Sequence, residues 1–222
     1  AGLLMREAFQ YHWHNDGYES FDDFLGALAS RKRKSIKKER RAVGEAGIRM
    51  HRLTGDDLKA EHWDVFHRFY VDTYDRKWGY PYLTRDFFAL LSERMADRVV
   101  LVLAERDGDW VAGALNFRGE DALYGRNWGC SGDFKFLHFE TCYYQAIDFA
   151  IEHGLSRVEA GTQGPHKVQR GYLPVATWSG HWIADPNFRA AVDRFLAQET
   201  RAIEQEMEYM AGHSPFRQEG GG

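Results

Sequence analysis

The sequence predicts an α/β fold with a mixed, largely antiparallel sheet that is covered by helices on both faces. Three observations support this prediction. Helical periodicity dominates the first part of the chain, strand-length apolar runs separated by tight turns follow at 98–130, and an amphipathic helix at 137–153 leads into two further strands. We expect that helix to be a crossover that connects two neighbouring strands.

Length and composition place the chain among globular proteins. Its 222 residues suffice for one substantial domain, which we place at 1–212, followed by a loose tail at 213–222. Hydrophobic residues make up 44% of the chain and charged residues 28%, as in an ordinary soluble domain. No apolar run approaches the roughly 18 residues that span a bilayer. Because no signal-peptide pattern stands at the start, we expect a cytoplasmic protein.

Charge is unevenly distributed along the chain. The net charge is −4, which excludes a protein that binds nucleic acid over its whole surface. The segment Arg31–Arg41 nevertheless carries eight basic residues and a single acid, Glu39. It is either a solvated helix face or a helix that faces phosphates, of a coenzyme or of an RNA backbone. Its spacing does not decide between the two.

The first half of the chain is predicted to hold one strand and several helices. Residues 3–14 are expected to be extended. Ser20 caps a helix that continues through the basic segment until Gly44 and Gly47 break it. The next elements are, in order, a short strand IRMHRL, a helix at 56–74 and a helix DFFALLSERM capped by Thr84.

The second half alternates strands with helices. RVVLVLAE is a continuous apolar run typical of a central strand, and the RDGD that follows is typical of a hairpin turn. In the helix 137–153, with Gly154 as its cap, Gln145, Asp148 and Glu152 are expected to face outward. The remaining elements are the strands WVAGALNFRG, ALYGRNWG, SRVEAG and ATWSGHWIA and a last helix at about 187–210.

No common catalytic motif is present, since the sequence lacks a Walker loop, GxGxxG, HExxH and GxSxG. Reactive side chains gather instead around the two loops that flank the helix 137–153. The candidates near the first loop are Arg126, Trp128, His138 and Glu140. The candidates near the second loop are Glu159, Gln163, His166, Lys167, Arg170 and Tyr172.

These side-chain types suit acyl transfer to an amine. The attacking amine must lose a proton, which a carboxylate or an imidazole within hydrogen-bond reach can accept. The tetrahedral oxyanion needs fixed donors, which lysine, arginine, tyrosine or backbone N–H groups supply. The start of the helix near Leu137 is expected to point such N–H groups toward a bound anion.

Several separated motifs resemble, in order along the chain, the FemAB-like family of predicted N-acyltransferases. They are SFDDFLGALASRKRKSIKKERR, DTYDRKWGYPYLT, LYGRNWGC, LHFETCYYQAIDFAIEHGL, EAGTQGPHKVQRGYLP and the closing HSPF. The resemblance covers nearly the whole chain. It implies a GNAT-like fold, in which the acyl donor sits where two central strands splay apart, and it matches the chain to the C-terminal domain of such a protein.

The resemblance also implies a reaction and the residues that perform it. Fem-type ligases move an aminoacyl group from charged tRNA onto an amine of a peptidoglycan precursor, assisted by a lysine. Lys167 in HKVQRGYLP is the matching position, and Glu159 or His166 is the expected base. Substrate binding is expected of the remaining candidates, which are Arg126, Trp128, His138, Glu140, Gln163, Arg170 and Tyr172.

The resemblance leaves the co-substrate open between acyl-CoA and aminoacyl-tRNA, and it implies no tightly bound cofactor. The glycine-rich pyrophosphate loop of coenzyme A-dependent GNAT enzymes is not recognisable in CSGDFKFLHFE. The acceptor is expected to be an amine on a small molecule or a peptidoglycan precursor. The segment Arg31–Arg41 is a candidate contact for tRNA.

Two other functions are compatible with the sequence. A non-catalytic GNAT-like module could hold a cell-wall precursor or an RNA in its groove, with affinity supplied by the basic helix. A metal-dependent hydrolase would need His12, His14 and His138 to meet, and no ligand spacing indicates this, so we expect no metal site.

Overall fold

The computed structural model describes residues 2–76 and 79–217. Lys77 and Trp78, from the aromatic motif DTYDRKWGYPYLT, and residues 218–222 of the predicted tail lie outside the described residues. The chain divides into two compact units. One consists of His14–Glu159, and the other combines the residues up to Trp13 with those from Ala160 onward. The single domain at 1–212 stays a prediction.

The His14–Glu159 unit contains five strands and most of the helices. Its helices are α1 Phe21–Ala27, α2 Ser30–Glu45, α3 Ala60–Arg76, α4 Arg85–Met95, α5 Leu137–Phe139 and α6 Gln145–Glu152, with a π-helical segment Glu140–Tyr144 between the last two. Its strands are β2 Ile48–Leu53, β3 Val99–Arg106, β4 Asp109–Arg118, β5 Ala122–Cys130 and β6 Arg157–Glu159, numbered after the strand β1 Leu4–His14.

These five strands pair in the order β2-β3-β4-β5-β6. All pairs are antiparallel except β5 with β6, which are parallel. A parallel pair requires a crossover connection, and α5, the π-helical segment and α6 provide it. The predicted crossover is therefore confirmed. Asp107 and Gly108 close the β3–β4 hairpin with φ values of 56° and 92°, as a tight Asp-Gly turn requires.

Helices cover both faces of this part of the sheet. Successive side chains of a strand point to opposite faces, so β3 serves two cores. Leu101 and Leu103 pack with Phe66 of α3 and Phe88 of α4. Ala104, on the other face, belongs to a core whose members are Val43, Ile48, Ala104, Val111, Ala112 and Leu137. The predicted architecture, a mixed and largely antiparallel sheet with helices on both faces, is confirmed.

The predicted basic helix differs in detail from the structure. The chain forms two helices rather than one, because Leu28 and Ala29 adopt extended backbone angles between α1 and α2. The Ser20 cap is confirmed, since its hydroxyl accepts from the amide of Asp23 at 3.1 Å. Gly44 lies inside α2 instead of breaking it, and the chain turns at Gly47, whose φ is 73°.

The helix predicted at 137–153 contains the π-helical segment, which changes which of its side chains are buried. A π turn adds a residue to the helical period and rotates the side chains that follow. Gln145, expected to face outward, is buried at 9% exposure as a result. The apolar residues of the same helix are buried, among them Leu137, Tyr143, Ala146, Ile147 and Ala150.

The second unit is built on an antiparallel pair, β1 with β7 Leu173–His181. A 3₁₀ helix Pro165–Arg170 precedes β7, and the long helix α7 Pro186–Ala211 follows it. Two side-chain contacts tie α7 to β1. The guanidinium of Arg6 donates to Glu199 at 2.6 and 2.8 Å, and the hydroxyl of Tyr11 lies 3.0 Å from the sulfur of Met210.

Within the described parts of the chain, no helix combines the length and the apolar character needed to cross a lipid bilayer.

One glycine fixes how closely α3 approaches the sheet. A Cβ atom built on Gly129 of β5 would lie 2.3 Å from the carbonyl oxygen of Phe69 and 2.6 Å from its carbonyl carbon. Both obstacles are backbone atoms of α3, so they cannot rotate away as a side chain could. Thr73, one turn further along α3, donates to the carbonyl of Trp128 at 3.3 Å.

We therefore expect Gly129→Ala to lower the free energy of unfolding by about 2–4 kcal/mol, because α3 must move off the sheet. Gly44→Ala is the matched control. Its Cβ would meet nothing within 4 Å inside α2, so it should stabilise the protein by about 0.5–1 kcal/mol. Urea denaturation of both variants measures the difference, and a Gly129→Ala protein as stable as the parent would contradict the close approach.

Candidate functional site

Strand β5 is fully paired on one side and only partly on the other. It pairs with β4 from Leu123 to Cys130, whereas β6 pairs with it only at Ala122, Leu123 and Tyr124. Among the described strands of this unit, β4 is therefore the sole pairing partner of the stretch Gly125–Cys130. We call this stretch the open end of β5.

Two backbone N–H groups at the open end point away from β4. The amide of Ser131 donates to Val111 on the β4 side, and successive residues of an antiparallel strand alternate in direction. Trp128 and Cys130 therefore direct their backbone groups outward. Their carbonyls accept from Thr73 at 3.3 Å and Arg76 at 2.6 Å, but no acceptor for their N–H groups lies among the described residues of this unit.

Three predicted site residues gather at this open end. Leu115 pairs with Asn127 and Asn116 with Gly125, so Arg126 is the extra residue of a β-bulge and its side chain is exposed. The ring of Trp128 lies 5.1 Å from that of His138 on α5, centroid to centroid. The open end of β5 thus carries an exposed cation and an indole whose ring contacts an imidazole of α5.

The backbone N–H groups at the start of the crossover helix were predicted to face a bound anion, and the structure differs from this prediction. The amides of Leu137, Phe139 and Glu140 donate to the carbonyls of Phe134 and Phe136 at 3.0–3.2 Å. Phe136 itself has a φ of 65°, which folds the loop back onto the helix. These three N–H groups are consequently engaged within the protein, which corrects the expectation of an anion site at this helix start.

Glu140 lies in a buried network rather than at the surface. Both of its oxygens accept from Arg40 of α2, at 3.0 and 3.2 Å, and one also accepts from Gln145 at 2.8 Å. The same guanidinium donates to Asp148 at 2.7 Å and lies 4.3 Å from the ring centre of Phe21. The network joins α1, α2 and the crossover helix.

Burial raises the pKa of Glu140, and the charge of Arg40 with the hydrogen bonds from Gln145 and Arg40 offsets part of the rise. Burial lowers the pKa of Arg40, but the carboxylates of Glu140 and Asp148 outweigh this effect and raise the pKa above its usual value. Arg40 therefore stays charged and pairs with two acids. Since both oxygens of Glu140 are occupied, its role in the described structure is to position the crossover helix.

Arg40 and Asp148 were not predicted to lie near Glu140. A signal for this was present in the basic segment. Ile36, Glu39 and Val43 recur at helical spacing and are all buried, so the single acid of the segment lies on an inward face. Arg40 follows Glu39 on the edge of that face. Glu39 itself accepts a hydrogen bond from the hydroxyl of Tyr144.

Glu159, the other acidic candidate, lies at the end of β6. Its carboxylate accepts from the Nε of Arg157 at 2.9 Å, and Arg157 also contacts Asp121. The guanidinium of Arg157 thus occupies an oxygen of the only carboxylate among the candidates of this strand, β6.

The other unit holds the second group of candidates, in the loop 160–172. Three glycines shape the loop, with φ values of 74° at Gly161, 102° at Gly164 and 88° at Gly171. Such angles strain any residue with a Cβ atom. They allow the 3₁₀ helix Pro165–Arg170 to form between two sharp turns, while Gln163 remains exposed.

Lys167 and its neighbours are largely buried in this loop. The Nζ of Lys167 donates to the carbonyl of Ala160, lies 3.5 Å from that of Gly161 and sits 5.4 Å from the ring centre of Tyr11. Arg170 donates to the carbonyl of His166 at 2.8 Å. Tyr172 is fully buried at 0% exposure. The cationic side chains of this loop thus bind backbone carbonyls that would otherwise be costly to bury.

His166 is the half-buried titratable group of the loop. Its ring packs over Gly164, where an added Cβ would lie 2.6 Å from the Cε1 atom. Burial lowers the pKa of His166 below its usual value near 6.5, and the charges of Arg170 and Lys167 lower it further. The imidazole is therefore neutral at neutral pH and able to accept a proton.

Across the described residues, no group of three or more His, Cys, Asp or Glu side chains is placed to hold a metal ion.

Comparison with known proteins agrees with the fold. The model of the FemAB-like family, described as peptidoglycan biosynthesis/recognition, matches residues 1–218. No curated protein matches the sequence significantly.

Three solved structures share the fold. FemX superposes with a TM-score of 0.60 at 12% identity, covering 82% of this chain and 63% of FemX. L-PGS from Bacillus licheniformis gives 0.54 at 13% identity, with coverages of 86% and 67%. A conserved protein of unknown function from Bacteroides thetaiotaomicron gives 0.52 at 14% identity, with coverages of 80% and 63%. The chain thus spans less than two thirds of the length of FemX, and identities this low establish the fold alone.

The raised pKa of Glu140 predicts a pH dependence of stability. Above the ordinary value of 4.5 the unfolded chain has released this proton while the folded protein still holds it. The contribution is therefore fully present below pH 4.5 and is lost as the pH rises through the folded pKa. Relative to Glu140→Gln, the free energy of unfolding of the parent should fall across this window.

Urea denaturation at a series of pH values from about 4 to 8 measures this difference. Glu45→Gln, at an exposed position of α2, controls for the loss of one carboxylate. A parent curve that runs parallel to that of Glu140→Gln over the whole range would contradict the assigned shift.

Proposed function

The chain belongs to the FemAB-like family, and we propose that it is an N-acyltransferase. It moves an acyl or aminoacyl group from an activated donor to an amine of an acceptor. The family description, peptidoglycan biosynthesis/recognition, supports a peptidoglycan precursor as that acceptor. The fold shared with FemX supports transfer chemistry of the Fem type.

The open end of β5 is the observation that carries the proposal. A carbonyl that becomes an oxyanion needs a donor fixed in advance, and the strand itself holds the outward N–H groups of Trp128 and Cys130, either of which can serve. An extended donor segment that carries amide or carbonyl oxygens can also add to an unpaired strand edge by accepting from such N–H groups. Arg126 supplies an exposed cation there, which suits the phosphates that acyl-CoA and aminoacyl-tRNA both carry.

The transfer step needs one base. The amine nitrogen of the acceptor attacks the carbonyl carbon of the donor, and a C–N bond forms as the C–S bond of a thioester or the C–O bond of an ester breaks. The proton lost by the amine goes to a neutral imidazole and then to the leaving group. We assign this role to His166, because its lowered pKa keeps it unprotonated at neutral pH.

Lys167 acts in this proposal as a positioning residue. Its ammonium is buried at 5% exposure and bonded to the carbonyl of Ala160, so it fixes the loop that carries His166. Glu159 is the weaker candidate for the base, since Arg157 holds its carboxylate. The donor is acyl-CoA or aminoacyl-tRNA, used as a co-substrate without a tightly bound cofactor, and we place the reaction in the cytoplasm, where both donors are made.

A second candidate function rests on the exposed basic face of α2. Arg31, Lys34 and Lys38 are exposed, whereas Lys37 pairs with Asp22 at 2.9 Å and Arg40 is committed to Glu140. The exposed members suit an RNA backbone, as a tRNA donor or as the ligand of a non-catalytic module. The two functions differ in whether a product forms.

A transfer assay tests the enzyme directly. A peptidoglycan-precursor peptide is incubated with acyl-CoA and with aminoacyl-tRNA in turn, and mass spectrometry detects the acylated product. We expect the rate to rise with pH through a midpoint below 6.5 and then to level off, as His166 loses its proton. His166→Gln should lower kcat by about a hundredfold or more and remove this midpoint.

His213→Gln, at an exposed histidine, is the matched control and should leave both kcat and the midpoint unchanged. Lys167→Met should lower kcat and the stability together and should move the midpoint upward without removing it, because the charge of Lys167 no longer lowers the pKa of His166. A His166→Gln enzyme with the parent profile would remove His166 from the mechanism, and the absence of product from every donor would favour the binding module.

The basic face predicts salt-dependent RNA binding. Replacing Arg31, Lys34 and Lys38 together by Glu should weaken tRNA binding and reduce the slope of log K against log salt by about 2 units. The slope falls because each phosphate contact that is lost reduces the number of counterions released when the RNA binds. Filter binding at several salt concentrations measures the slope.

The matched control makes the same charge change elsewhere, at the exposed residues Arg94, Arg98 and Arg106. If both triple variants lose affinity equally, binding follows net charge and α2 has no special role.

A further inference from the structure

Helix α7, Pro186–Ala211, carries apolar side chains on two of its sides. Leu196, Ile203 and Met210 recur every seven residues on the side that packs within the unit, and Leu196 and Met210 are buried. A second row recurs at the same spacing on another side of the helix and is exposed to solvent. We call it the outer row, and its members are Phe188, Phe195, Ala202 and Tyr209.

The outer row leaves three aromatic rings in water. Phe188, Phe195 and Tyr209 are 60%, 57% and 69% exposed. At about 200 Å² for a whole aromatic side chain, they expose roughly 350–400 Å² together, and patches of this size are often functional. The positions beside the row, between its members and the solvent side of the helix, are uncharged as well. They are Ala191, Gln198 and Gln205.

The spacing of the outer row suits another helix as its occupant. Residues seven apart lie almost on one line along a helix, with a drift of about 20° per repeat. A slight supercoil removes this drift and keeps such a row against a neighbouring helix. The outer row holds the spacing over three full repeats, from Phe188 to Tyr209.

The charges of α7 indicate which helix that is. Its first half, 186–198, has two basic residues and one acid, and its second half, 199–211, has four acids and one basic residue. The net charges are +1 and −3, or −2 in the second half once the pairing of Glu199 with Arg6 is counted. Two parallel copies of α7 would set like charges side by side, whereas two antiparallel copies set opposite charges together.

One antiparallel alignment pairs particular side chains. Arg194 and Glu208 each stand directly before a ring of the outer row, so both lie along the same edge of it. Both are exposed, and neither forms an ion pair within the described chain. When two copies cross at Arg201, midway between these residues, Arg194 of each copy faces Glu208 of the other. The same crossing sets the ring of Tyr209 beside the small Ala191, at the cost of bringing the two Arg201 side chains together.

The size of the contact sets its strength. At 1.5 Å per residue α7 is about 39 Å long, and its side is about 10–12 Å wide, so each copy contributes on the order of 400 Å². The total of roughly 800–900 Å² lies in the range of transient associations. A reversible dimer that forms at high concentration is therefore expected.

We propose that a second copy of this chain docks on the outer row, with the two α7 helices antiparallel about a two-fold axis near Arg201. Such an axis uses the same surface on both copies and closes the assembly at two. A membrane surface of anionic lipid or a nucleic acid would instead face the acidic second half of the helix and be repelled. The dimer does not rest on the proposed acyl transfer, since no candidate transfer residue belongs to α7.

Sedimentation equilibrium of the full chain, from about 10 µM to about 1 mM, measures the association. Phe195→Glu places a charge in the outer row and should weaken dimerisation at least about tenfold. Leu90→Glu is the matched control, since it makes the same kind of change at an exposed apolar position of α4, and it should leave dimerisation unchanged. A parent chain that stays monomeric over the whole range, or equal loss in both variants, would overturn the proposal.

A charge exchange tests the antiparallel pairing. Arg194→Glu and Glu208→Arg should each weaken dimerisation at least about fivefold, because each turns two attractions into two repulsions. They shift the net charge of the chain in opposite directions, so net charge alone cannot weaken both. The two changes combined in one chain restore opposite charges and should bring dimerisation back to within about twofold of the parent. Far-ultraviolet circular dichroism confirms that each variant keeps its helices. A double variant as weak as the single ones would overturn the antiparallel dimer.

Discussion

The unequal pairing of strand β5 is the constraint on which the candidate site depends. One side of the strand is bonded to β4 along its length, while β6 reaches only three of its residues. The open end that results keeps two N–H groups, those of Trp128 and Cys130, directed outward on a rigid backbone. Gly129, between them, lets α3 approach closely enough for Thr73 and Arg76 to occupy the carbonyls. The carbonyls of Trp128 and Cys130 are thereby occupied by α3, while their N–H groups are directed toward the proposed donor site.

A buried ion-pair network holds the helix that follows this strand. Arg40 meets two carboxylates, Glu140 and Asp148, and each hydrogen bond to a charged group reduces the cost of removing it from water. Gln145, which follows the π-helical segment, donates its side-chain amide to the Glu140 carboxylate that Arg40 also binds. The basic helix thus has two faces, one that fixes the crossover and one that remains exposed.

Local patterns predicted most of the fold and little of the site geometry. The apolar run of β3, the Asp-Gly turn and the stripe of the crossover helix depend on spacing, which a sequence displays directly. Tertiary contacts between distant segments determine the break at Leu28, the π turn and the partners of Arg40. The periodicity of one sequence does not show such contacts. Lys167 shows the same limit, since its position was found from the sequence but the carbonyls that hold its ammonium were not.

Hydrogen exchange at the open end of β5 tests the proposed donor site most directly. Backbone amides of Trp128 and Cys130 should exchange rapidly in the free protein and become protected when acyl-CoA or aminoacyl-tRNA is added, because the acyl carbonyl accepts from one of them and a second oxygen of the donor accepts from the other. The amides of the central strand β3, which are already paired on both sides, should not change. Donor binding that leaves residues 125–130 unprotected would contradict the assignment of the acyl donor to this strand.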